Sequence, residues 1–182
     1  MSSTVATDQE SPRGRRPKGA RPSLYTPEQR RRRDGSIWTF VQGVLAPLQF
    51  FVFAVSLVLV LRYLTTGQGF DTAVASVVFK TATLYTIMVT GSIWEKDVFG
   101  VWLFAPAFYW EDVFSMLVLA LHTAYLVALA TGGLSARGLM FLALAAYAAY
   151  VINATQFLLK LRAARLDRAR AARQLAARGQ AA

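Results

Sequence analysis

Four apolar stretches, at approximately 38–64, 72–94, 110–130 and 139–159, decide what this chain can fold into. Crossing a hydrocarbon core of about 30 Å takes roughly 20 helical residues. Inside that core every backbone polar group must be satisfied internally, which for single runs of this length leaves the helix. The expected fold is therefore all-α, an integral membrane four-helix bundle. A hydrophobic fraction of 55% and a mean hydropathy of +0.37 over 182 residues agree with that reading, and the length suits one domain.

Charge orients the bundle. Nine of the twenty Lys and Arg residues precede Ser36 and seven follow Leu159. The positive-inside rule puts both termini in the cytoplasm, which requires an even number of spans. The turns near Gly67 and Gly132, with only Arg62 and Arg137 beside them, then face the opposite side. The net charge of +10 thus reflects the chain ends, and no nucleic-acid partner is expected. Residues 1–23, rich in Ser, Pro, Gly and Arg, read as a disordered basic leader. No apolar region follows promptly enough for a signal peptide. Tyr25 to Gly35, with Pro27 at a helix start and the run Arg30 to Arg33, reads as a juxtamembrane helix attracted to anionic headgroups. A membrane domain over 24–165 precedes a basic tail, 166–182, expected as a surface-lying amphipathic helix.

The chemistry concentrates between Gly91 and His122. Glu95, Lys96, Asp97, Glu111 and Asp112 are five of the few ionisable residues between Ser36 and Leu159, and ionisable groups that border or enter hydrocarbon suggest function by default. Trp38, Trp94, Trp102 and Trp110 all fall at the cytoplasmic ends of spans or in the loop joining the second and third, which points to a site on that side. Residues 97–109, DVFGVWLFAPAFY, are too aromatic for a solvated loop and too short to span. They read as an interfacial or re-entrant lid over a flat aromatic ligand, or as headgroup anchoring. In the third span Glu111, Ser115, Val118 and His122 share one helical face, with Asp112 about 100° away.

Deeper in the membrane stand Gln49, which shares a face with Gln42 across Pro47, and Lys80, roughly 20 Å from the cytoplasmic boundary. Lys80 either snorkels towards the far face or pairs with a charge, a substrate carboxylate included. The fourth span carries small residues, Ala145 and Ala149, and a stripe of Tyr150, Asn153 and Phe157. The chain has no cysteine and one histidine. Thiolate chemistry, iron–sulfur clusters, multi-histidine oxygenase centres and bis-histidine haem cannot be assembled from it. A hydroxyl installed by such a protein comes from water.

The stretches LYTPEQR, WTFVQGVLAPLQF, VTGSIWEKDVFG, LFAPAFYWEDVFSMLVLALHTAYL and NATQFLLKLRAAR, spread over about Leu24 to Arg165, resemble the 3-vinyl (bacterio)chlorophyllide hydratases of bacteriochlorophyll biosynthesis. The resemblance implies addition of water across the 3-vinyl group of a magnesium tetrapyrrole to give a 3-(1-hydroxyethyl) group. It also implies a bacterial inner membrane setting and no cofactor of the protein's own; the magnesium belongs to the substrate.

It brings no catalytic residue set, so roles are assigned from the residues. Hydration needs a general acid, a group that stabilises the cation and a base, and carboxyls can fill all three. Glu111 is the first choice for the proton donor, Glu95 its partner, and Asp112 a third candidate; the alternative is that these acids pair with Lys96 and Arg side chains. His122, Lys80, Gln49, Trp94 and Trp110 are expected to bind substrate. For His122 a packing hydrogen bond, magnesium ligation and acid/base work all stay open, although roughly 16 Å along the helix separates it from Glu111. A homo-oligomer or other pigment-biosynthesis enzymes are the protein partners such a reading allows. The competing function is a non-catalytic tetrapyrrole carrier or assembly factor.

Overall fold

The computed structural model describes residues 24–180; the leader expected over 1–23 lies outside the described residues. Among the described residues there are five helices and no strand, in the order α1 Pro27–Gly35, α2 Ile37–Thr66, α3 Phe70–Phe99, α4 Tyr109–Thr131 and α5 Ala136–Gln180. The last four are long and apolar enough to cross a membrane. Phe40, Phe50, Phe51, Val58, Phe79, Phe141 and Leu158 point outward and are more than half exposed, as lipid-facing side chains are.

Local chemistry sets the helix ends. At α1, Thr26 and Gln29 form a reciprocal capping box, with Pro27 in the first turn; both devices satisfy or remove otherwise unpaired N–H groups. Ser36 ends α1 and accepts a hydrogen bond from the Trp38 amide to start α2. Gly67, Gly100 and Gly132 close α2, α3 and α4 at φ of 72°, 82° and 64°, a conformation that costs other residues about 1 kcal/mol or more.

Short turns make two antiparallel hairpins, α2 with α3 and α4 with α5, which pack through α2 against α5 and α3 against α4. One core, which includes Phe53, Val60, Ala73, Val77, Met140 and Ala143, fills the end near the Gly67 and Gly132 turns. A second, aromatic core of Tyr25, Val98 and Phe108, flanked by Trp94, Phe99 and Phe157, closes the opposite end. There α1, the α3–α4 connection and the outgoing part of α5 meet: Trp94 Nε1 donates to Thr39 Oγ1 at 2.9 Å, and Lys160 of α5 reaches Glu111 of α4.

Two boundaries differ from the sequence expectation. Helix α3 continues five residues past Trp94 to Phe99, so Glu95, Lys96 and Asp97 are helical; the polar run has no breaker until Gly100. Helix α5 runs unbroken for 45 residues to Gln180 and does not turn onto a surface as a separate tail helix. No Gly or Pro occurs between Gly138 and Gly179, and the Ala, Leu and Arg that fill this stretch are strong helix formers.

Candidate active site

The segment 101–108 folds across the end of the bundle as a non-helical roof. Ala105 and Phe108 are buried beneath it, while Trp102 and Phe104 face outward. Phe104 adopts φ of 60°, a left-handed conformation that costs a bulky side chain about 1–3 kcal/mol. That geometry aims two successive amides inward. The Phe104 N–H donates to Asp112 Oδ2 at 2.9 Å and the Ala105 N–H to Glu95 Oε2 at 3.1 Å.

Glu95 and Asp112, both about 5% exposed, are therefore held on adjacent amides of one segment. The end of α3 and the start of α4 are thereby joined through the roof.

Glu111, buried one residue away, takes a different partner. Lys160 Nζ donates to Glu111 Oε2 at 2.5 Å and also to the Ala107 carbonyl, over the face of the Phe108 ring. The alternative to a donor role was pairing with Lys96 or an arginine; the cation that pairs with Glu111 comes instead from α5. Lys96 hydrogen-bonds the Gly100 carbonyl and caps its own helix. Lys160 was not singled out as a site residue. The available signal was the spacing of Asn153, Phe157 and Lys160, four and three apart, which continues the polar stripe of α5 towards the acids.

The two tryptophans proposed as substrate contacts separate. Trp94 lies edge-on against Phe99 and Phe108 inside the aromatic core, and Trp110 points outward, 67% exposed. Gln42 donates to Thr90 Oγ1 at 2.8 Å and ties α2 to α3, whereas Gln49, on the same face, is buried with both amide atoms unpartnered.

Lys80 and His122 are fully buried at mid-bundle. The Lys80 ammonium stands 4.0 Å from the Tyr150 ring centre, and the His122 ring lies 5.9 Å from that of Tyr147. His122 Nδ1 is 2.8 Å from the Val118 carbonyl; because a carbonyl only accepts, Nδ1 carries the hydrogen and Nε2 of the neutral ring is an acceptor. That Nε2 has no partner, so it is the nitrogen able to ligate a substrate's magnesium. The structure therefore brings Glu95, Asp112 and Glu111 to one end, and Lys80 and His122 beside the same Tyr147 ring roughly 16 Å deeper, by the eleven residues from Glu111 to His122; Gln49 is buried on α2. Among the described residues, no three His, Cys, Asp or Glu side chains gather closely enough to hold a metal ion.

A sequence profile described as 2-vinyl bacteriochlorophyllide hydratase matches residues 25–163. The chain belongs to the 2-vinyl bacteriochlorophyllide hydratase family. A relative from Cereibacter sphaeroides bearing that name is 70% identical over 145 residues, covering 79% of this chain and 89% of the relative. One from Rhodobacter capsulatus with the same name is 65% identical over 150 residues, covering 82% and 87%. No solved structure matches the chain. The match to the hydratase family takes in α1 to α4, the roof segment and α5 as far as Ala163, and so contains every acidic and deep polar residue described above.

Proposed function

We propose that this chain is a membrane hydratase that adds water to the vinyl group of chlorophyllide a or its bacteriochlorophyllide counterpart. The group is position 3 in current tetrapyrrole numbering and position 2 in the older numbering used in the relatives' names. The observation that carries the chemistry is the buried Glu95–Asp112 carboxyl pair beneath the 101–108 roof.

In this reading the two neighbouring carboxyls carry one proton between them, because like charges held so close do not both ionise freely, and that proton goes to the terminal vinyl carbon. The positive charge left on the inner carbon spreads into the macrocycle. A water oxygen bonds to that carbon, and the excess proton of the resulting oxonium returns to the carboxylate, so the pair is restored and no electron is transferred. Glu111, held as an anion by Lys160, stabilises the cationic stage. The donor role thus moves from Glu111, where the sequence placed it, to Glu95 and Asp112, because a carboxylate engaged by an ammonium has no proton to give.

His122, Lys80 and Gln49 act on the deep side, and Trp94 backs the aromatic core beside the reacting end. Trp110, facing outward at the membrane boundary, serves as an interfacial anchor. Both termini face the cytoplasm of a bacterial inner membrane.

The test uses membranes that contain this protein alone, incubated with 3-vinyl chlorophyllide in ¹⁸O-labelled water. Hydroxyethyl product bearing the label is expected. Pigment bound without product would make the chain a carrier instead.

A further inference from the structure

The mid-bundle polar groups form a second site. Gln49 from α2, Lys80 from α3, His122 and Tyr125 from α4, and Asn153 from α5 are each nine-tenths or more buried. Each carries at least one polar atom without a partner: both amide atoms of Gln49, Lys80 Nζ, His122 Nε2, the Tyr125 hydroxyl and Asn153 Oδ1. A stranded polar group in a protein interior costs about 1–3 kcal/mol, and a charged one more. One such group is an oddity; five are drawn from all four spanning helices, and Lys80 Nζ and the His122 ring stand 6.0 Å and 5.9 Å from the centre of the same Tyr147 ring.

The ligand class follows from the atoms. Gln49 Nε2 only donates, and Lys80 Nζ donates in either protonation state. His122 Nε2 in the neutral ring, Gln49 Oε1 and Asn153 Oδ1 only accept, and the Tyr125 hydroxyl does both. An anion would call for donors alone and a cation for acceptors alone. A mixed set matches a molecule that donates and accepts at once.

We propose that the four helices enclose a hydrated chamber, bounded by Gln49, Lys80, His122, Tyr125 and Asn153, whose water is passed along the α4–α5 seam to the carboxyl pair. Buried waters typically make about three hydrogen bonds to such groups. The seam continues the chamber towards the reacting end. Asn153 Nδ2 donates to Ser115 Oγ at 2.8 Å, Gln156 Oε1 is a further unpartnered acceptor three residues on, and Lys160 with Glu111 lies one helical turn beyond. The route matters because the roof covers the acids from the solvent side and a flat apolar pigment would cover them from the membrane. This inference rests on the hydratase reading for the use of the water, but not for its presence.

The experiment is hydroxyl-radical labelling by a short X-ray pulse on the full chain in lipid nanodiscs, without pigment. Radicals made from ordered water mark side chains beside it. Tyr125 and Tyr147 are expected to be labelled, while Met140, equally buried in the same core cluster but with no polar atom to hold a water, stays unlabelled despite its greater intrinsic reactivity. Unlabelled tyrosines, or labelling of Met140 to the same extent, would overturn the chamber whether or not the protein turns over.

Gln156→Leu and, separately, Asn153→Leu should then lower kcat about tenfold, the loss of roughly one water-mediated hydrogen bond at the rate-limiting stage, with pigment Kd unchanged. Unchanged kcat in both variants would sink the delivery role. In Lys80→Met, loss of a preference for free-acid pigment over its methyl ester would show that the chamber grips the pigment's carboxylate, and would replace the water proposal.

Discussion

At the scale of single residues, the two acids held on the roof amides are expected to matter most. Glu95→Gln and Asp112→Asn should each reduce turnover about 10²- to 10⁴-fold, the usual cost of removing a general acid, while pigment binding measured by absorbance titration survives. Glu111→Gln should lose less rate than either, since its task is to stabilise charge next to Lys160. A larger loss at Glu111 than at Glu95 and Asp112 would return the donor role to Glu111. Phe104→Gly should leave the roof in place and raise thermal stability relative to Phe104→Val, because glycine takes φ of 60° freely and a β-branched residue does not. The sequence showed that these acids stand at the mouth of the bundle and that Glu111 shares a face with His122. It did not show which acid would find a cation, since Lys160 is 49 residues from Glu111 and only folding brings them together. Nor could it reveal that Phe104 would turn left-handed to point two amides at Asp112 and Glu95.

At the scale of helices, hydropathy and glycine placement were enough to locate every span, because lipid leaves so few solutions for an apolar run. They failed at the polar ends. Glu95, Lys96 and Asp97 lay past the expected end of the second span at Trp94, yet the helix ladder runs through them until Gly100, and the basic tail looked like a separate element although nothing in it interrupts α5. The joint between α4 and α5 is testable here. Lys160→Met leaves Glu111 as a buried, unpaired anion and should cost roughly 3–5 kcal/mol, read as a lower melting temperature in detergent. Adding Glu111→Gln to Lys160→Met should recover much of that loss. A double variant no more stable than Lys160→Met alone would show that the ammonium acts mainly through the Ala107 carbonyl.

For the whole molecule, reporter fusions placed at Gly67 and Gly132 should score on the far side of the membrane and a fusion after Ala182 in the cytoplasm. The opposite pattern would invert the bundle. Turnover should also persist without dioxygen, with heavy oxygen entering product only from water. Along α4 and α5 the rungs Glu111 with Lys160, Ser115 with Asn153, and His122 beside Tyr147 lie in a seam otherwise lined by small residues such as Ala146 and Ala149. Two smooth alanine surfaces in lipid can slide by a turn at little cost, since the acyl chains are as apolar as the helices. The rungs work like the marks of a vernier: a one-turn slip would misalign all of them together, and would leave the polar partners of the first two unpaired at about 1–3 kcal/mol apiece. The same side chains that bring Glu111 to its partner therefore fix the only register in which the two arms of this hairpin can come to rest.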